Sequence, residues 1–291
     1  YQSIIITYAY YVLNKDHNKA NKMYFQITGM ISSMPHESFI VAMILTNYIF
    51  FHHMNYSDGM HVLKLTENQH PHTEEIKLLI KKWRLIYAFK LNNHYLINKH
   101  FKDYENELIE KHLFLQVQSI YLEKLIYEAK VRTPEDIKSE LSKISNMDKS
   151  QKAYIMAKSY YHRGQNDKAL ILSYKYNQYS SKWLILHLLI LDKMKMIESI
   201  KLLLNQKIGI DDPHYKLISK HLAYKYLKGQ DEIVQYIKTD ILSQKLFTDD
   251  YDTLTYFMKD CDRILSGFQF YKDAVKIYRF FTRKINQMIH I

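Results

Sequence analysis

The 291-residue chain holds only six Gly and four Pro, too few for the many tight turns of an all-β sandwich. Its single cysteine, Cys261, has no internal partner for a disulfide, and one thiol suits a reducing compartment, so a cytoplasmic location is expected. Long apolar runs are missing too. Residues 39–51 are too few to span a bilayer and include Thr46 and Asn47, and residues 183–191 form a shorter run that contains His187. No membrane association is expected. Glycine-rich phosphate loops, an HExxH zinc helix and a GxSxG elbow do not occur. The sequence therefore points away from an enzyme, with no catalytic residue and no cofactor expected.

Fifteen histidines invite a metal reading, but His52-His53 and His70-Pro71-His72 offer neither an i,i+4 pair nor an evident third ligand, so no metal site is expected. Asp211-Asp212 and Asp249-Asp250 precede helical segments, where acids act as caps rather than as paired catalytic carboxylates. Cys261 lies in a largely apolar stretch and reads as a buried thiol. The net charge of +11 is uneven, with 18 basic against 16 acidic side chains in residues 1–150 and 23 against 14 beyond. That C-terminal excess suits an acidic partner or nucleic acid, although its lysines are spread singly rather than clustered.

What the chain does have is helical periodicity interrupted by short polar corners. Residues 156–176, MAKSYYHRGQNDKALILSYKY, place Ala157, Tyr160, Gly164 and Ala169 at successive steps of three, four and five. Gly164 frees the backbone for a turn, and Ala169 lets a second helix approach the first closely. This order resembles the tetratricopeptide repeat (TPR), a helical hairpin whose copies stack into a solenoid. Equivalent positions along the chain are Ala20, Gly59, Ile97, Ile137, Ala169, Ile200, Ile233 and Ala274, separated by 39, 38, 40, 32, 31, 33 and 41 residues. About eight hairpins, or sixteen helices, are therefore predicted. The expected fold is all-α, a superhelical solenoid of degenerate TPR-like hairpins in a single domain over residues 1–291. Thr133-Pro134-Glu135-Asp136 is a strong helix start, and Asn92-Asn93 a corner.

In such an array the first helices line a concave surface. The register assigns to it Tyr48, His52, Trp83, Lys90, Gln151, Tyr154, Lys158, Tyr161, His162, Lys220 and Tyr224. Rings can bury the apolar side chains of an extended peptide while amide and cationic heads bind its backbone or carboxylates. Each ring also has a plainer reading, as packing between helices.

The degenerate repeats, the Lys- and Tyr-rich helices, and residues 150–204 with YYHRGQNDKAL, KWLILHLLILDKM and KLLL are similar to the peptide-pheromone receptors of Gram-positive bacteria and their phages. These are the Rap, PlcR, Rgg and arbitrium-receptor groups; residues 150–204 are most similar to the arbitrium type, and the remaining chain matches in style. The resemblance implies a short signalling peptide in the groove, a protein partner or homodimer, and transcriptional regulation of the quorum-sensing kind. Many members carry an N-terminal helix-turn-helix. Residues 1–20 do not look like one, and a start at Tyr1 leaves room for such a DNA-binding domain upstream. The alternatives are a TPR adaptor for a protein segment and a nucleic-acid binder using the basic half.

Overall fold

The computed structural model describes the chain except residues 15, 31–32, 53, 70–72, 145–146, 177–179, 207–209, 211, 243–247, 249 and 290–291, and the side chains of 17, 18, 21, 28, 36, 52, 65, 68, 69 and 289. The described residues form sixteen α-helices and no strand. In chain order they pair as α1 (Gln2–Leu13) with α2 (His17–Met30), α3 (His36–His52) with α4 (Tyr56–Gln69), and α5 (Glu74–Leu91) with α6 (His94–Glu110). Then come α7 (Phe114–Glu128) with α8 (Pro134–Ser142), α9 (Lys149–His162) with α10 (Asn166–Tyr176), and α11 (Ser181–Lys193) with α12 (Ile197–Asn205). The last pairs are α13 (Pro213–Leu227) with α14 (Gln230–Tyr236), which runs on into a π-helical turn, Ile237–Ile241, and α15 (Tyr251–Gly267) with α16 (Tyr271–Ile289). Among the described residues no helix is long and apolar enough to cross a membrane.

The helix starts follow their capping chemistry. Thr133 accepts from the Asp136 amide, with Pro134 in the first turn of α8 and Glu135 and Asp136 at its positive end. Asp212 and Asp250 cap α13 and α15 by accepting from the Tyr215 and Thr253 amides at 3.0 and 2.9 Å. The capping role read for these aspartates holds, while Asp211 and Asp249 lie outside the described residues, as do Pro71 and the histidines at 53, 70 and 72. Cys261 is fully buried.

The corners share one register. Ala20, Gly59, Ile97, Ile137, Ala169, Ile200, Ile233 and Ala274 are each the fourth residue of an even-numbered helix, and all eight are buried. Each donates its amide to the carbonyl four residues back, closing that helix's first turn. Five residues before the register position, Met54, Asn92, Gly164, Lys195 and Gln269 adopt left-handed φ of 56° to 75°. In all five corners that residue donates to the carbonyl three back and the next residue to the carbonyl five back, for example Gly164 to Tyr161 and Gln165 to Tyr160. This double closure is the Schellman motif. The α13–α14 corner departs from this pattern, with Lys228 extended (φ −113°) five residues before Ile233 and Gly229 as N-cap.

The chain divides into two compact units, Tyr1–His112 with Phe247–Ile291, and Leu113–Leu246. The first contains α1–α6 together with α15 and α16, and within it α15 packs on α5. Chain order and packing order part company there, because a strictly sequential array gives each repeat contacts only with its neighbours. In the first unit Gly59 on α4 lies under the Tyr87 ring of α5, and a Cβ on Gly59 would meet that ring at 2.6 Å. Buried Tyr87 donates to Asn47 Oδ1 at 2.8 Å, and buried Tyr8 on α1 shares a 3.2 Å hydrogen bond with Thr46. In the second unit Ala157 and Ala169 close against Trp183, Leu186 and Ile190, and a neighbouring cluster joins Leu125, Ile137, Leu141 and Ile155.

Candidate functional site

Within the second unit the packing has a simple order. First helices touch first helices in succession, α7 with α9, α9 with α11 and α11 with α13, while the second helices α8, α10 and α12 pack on the next first helix. The first helices thus form one layer. On α9, Gln151, Tyr154, Lys158 and His162 follow at steps of three and four, so they share a face, with Tyr161 beside them. Gln151 is exposed and the other four are half-buried.

The rings on this face are anchored from below. Tyr154 meets buried Trp183 edge-on at 5.2 Å, and Tyr176 stacks on the same indole at 5.2 Å. The Trp183 Nε1 donates to Ser150 at 2.9 Å, which fixes the indole's orientation. Lys193 Nζ sits 4.6 Å from the centre of the Tyr161 ring and donates to the Tyr161 carbonyl at 2.8 Å, a cation–π contact closed by a charge-assisted hydrogen bond. His162 lies against the same ring at 5.3 Å. On α13, Tyr224 stacks on Tyr236 at 4.3 Å and 6°. Lys220 is exposed, lies 5.3 Å from the Tyr236 ring and pairs with Asp240 at 2.7 Å. Helix α11 intervenes between α9 and α13 in the layer.

In the first unit, Trp83 and Lys90 both converge on Phe51, at 6.1 and 5.8 Å, and Trp83 also lies 5.7 Å from Tyr87. Tyr48 is exposed, and His52 belongs to α3 with its side chain outside the described residues. The structure thus gathers the α9 residues on one face, Lys220 with Tyr224, and Trp83 with Lys90. In each group the rings also pack against the protein itself.

Sequence reading missed Lys193, Tyr236 and Phe51, the partners that hold these rings. It also missed a ladder of basic residues. Arg163 donates to the carbonyls of Val131 and Arg132, Lys193 to that of Tyr161, and Lys225 pairs with buried Asp192 at 2.6 Å. Each reaches back 31 to 33 residues, one hairpin period. Tyr226 gives Asp192 a second donor at 2.7 Å. The signal was available as basic residues recurring near the ends of α9, α11 and α13.

Two further groups bear on the chemistry of this unit. Buried His187 hydrogen-bonds Ser173 through Nδ1 at 2.8 Å, and desolvation lowers its pKa to about 4. Glu140 is held at about 2 by the Tyr121 hydroxyl and the Lys143 ammonium. Among the described residues no group of three or more His, Cys, Asp or Glu side chains is placed to hold a metal. An ordered face of anchored rings, ammonium groups and an amide can bind. No family model, curated protein or solved structure matches this chain.

Proposed function

We propose that this chain is a receptor for a short linear peptide, built from stacked TPR-like hairpins, with its peptide-binding face on the layer of first helices. The observation that carries the reading is the unbroken α7–α9–α11–α13 succession combined with Gln151, Tyr154, Lys158 and His162 on one face of α9. Half-buried rings held by Trp183 and Lys193 lose little side-chain freedom on binding, which lowers the cost of capturing a flexible ligand. Lys158 and Gln151 supply the heads that take a carboxylate and a backbone amide. Occupancy then regulates binding of DNA, of a protein partner or of a second copy, through differential affinity for two conformations.

The test is titration calorimetry against hydrophobic and basic peptides of about five to ten residues, repeated with Gln151→Ala and Lys158→Ala. These side chains are preferable to Tyr154 and Tyr161, whose removal would also damage the core beneath. A peptide that binds, and loses affinity in both variants without a change in melting temperature, supports the receptor reading. A peptide bound equally by both variants contradicts the assignment to α9, and binding only of a folded protein replaces the receptor with an adaptor.

A further inference from the structure

Helix α16 carries three stripes. Ala274, Ile277, Phe281 and Met288 are buried. Tyr271, Val275 and Tyr278 remain 62%, 50% and 53% exposed, with Thr282 continuing their line. Lys272, Lys276, Arg279 and Arg283 follow at steps of four, three and four and are all exposed. Those steps put the four cations along one side of the helix over about 16 Å. Lys276 pairs with Asp273, the single acidic residue of the helix; Lys272, Arg279 and Arg283 make no ion pair among the described residues. An open hollow of about 650 Å³ lies along this side, lined by Tyr278, Arg279, Thr282, Arg283, Asn286 and Gln287.

We propose that this face of α16 docks an acidic amphipathic helix of another protein. Two stripes side by side, one apolar and one cationic, match a helix whose apolar seam is flanked by Glu or Asp. A second copy docked through the same face would offer these cations one carboxylate, Asp273, which already pairs with Lys276, so it lacks the complementary charge. A nucleic-acid backbone would satisfy the cations and leave Tyr271, Val275 and Tyr278 with nothing apolar to cover. The apolar stripe therefore decides for a protein helix. The inference stands apart from the peptide face, since α16 belongs to the first unit and contributes none of the residues assigned there.

The probe is a synthetic, fluorescently labelled helix of about three heptads with a Leu seam and Glu flanks, read by anisotropy beside its Gln-flanked counterpart. A labelled DNA duplex of about 20 base pairs and sedimentation of the protein alone complete the set. The Glu helix should bind at least about tenfold tighter than the Gln helix. Arg279→Glu with Arg283→Glu should remove most of that difference, and Tyr278→Ser should weaken the Glu helix separately. All three positions are exposed, and unchanged melting confirms that the variants fold. Equal binding of the two helices, no binding of either, or indifference to the arginine changes overturns the proposal. So does a duplex bound more tightly than the Glu helix with Tyr278→Ser neutral, or self-association abolished by the arginine changes.

Discussion

The two units use the same corner and lock their hairpins together in different ways. In the first, buried neutral hydrogen bonds run from Tyr8 to Thr46 and from Tyr87 to Asn47, with the Tyr87 ring over Gly59, and an ion pair, Arg84 to Glu67, lies nearer the surface. In the second, neutral bonds from Trp183 to Ser150 and between His187 and Ser173 are joined by a recurring cationic series near the corners, running from Arg163, Lys193 and Lys225 to the preceding hairpin. A shared corner thus fixes how a hairpin closes on itself and leaves open how it holds its neighbour. The first unit spends a glycine on a close approach; the second meets the same register position with Ala169 or Ile200 and ties the hairpins from the edge.

The sharpest way to break this contrast is to delete one lock from each side. Asp192→Ala removes the carboxylate that pairs with the Lys225 ammonium, whose side chain is only 11% exposed, and that accepts from Tyr226, and should cost about 3 to 5 kcal/mol. Tyr87→Phe leaves the Asn47 amide oxygen without the tyrosine donor and should cost about 1 to 3 kcal/mol. Denaturant melts of the two variants would check the order; equal losses would mean that the buried charge adds nothing.

Acid should also discriminate. The unfolded His187 takes a proton near pH 6.5, whereas the folded imidazole holds out to about 4, so the unfolded chain binds more protons between those values. This contribution is fully present above pH 6.5 and is lost as pH falls towards 4. Between pH 6.5 and 5 the loss should amount to about 1.5 kcal/mol. Chemical melts at those two pH values, compared with His187→Gln, should show the variant losing less. Burial raises Tyr8 and Tyr87 rather than bringing them into this range, so the tyrosine locks of the first unit are indifferent to it. A comparable loss, about 1 to 3 kcal/mol, is expected for Gly59→Ala, because the new methyl meets the Tyr87 ring. Combining it with Tyr87→Leu should recover part of that loss, and a strictly additive pair would show that the ring has room to move aside.

The register was legible because each hairpin needs a small or aliphatic residue where its second helix meets the first, and that demand repeats. Gly164 and Asn92 also announced their corners, being residues that tolerate positive φ. Met54, Lys195 and Gln269 did not: they adopt the same backbone where their side chains give no hint of it, and the Schellman hydrogen bonds supply the reason. The packing of α15 on α5 was invisible, since nothing in a local spacing encodes a contact between distant hairpins. At the candidate site, the α9 face could be read from the periodicity of Gln151, Tyr154, Lys158 and His162. The rings' anchors could not, because Trp183, Lys193 and Tyr236 lie on other helices.

The most direct test of the account is amide hydrogen exchange with and without a peptide identified by calorimetry. The first-helix reading predicts slowed exchange along α9 and at neighbouring first helices of the second unit, with the outer turns of α10 and α12 unchanged. Protection confined to second helices, or to α16, would contradict it.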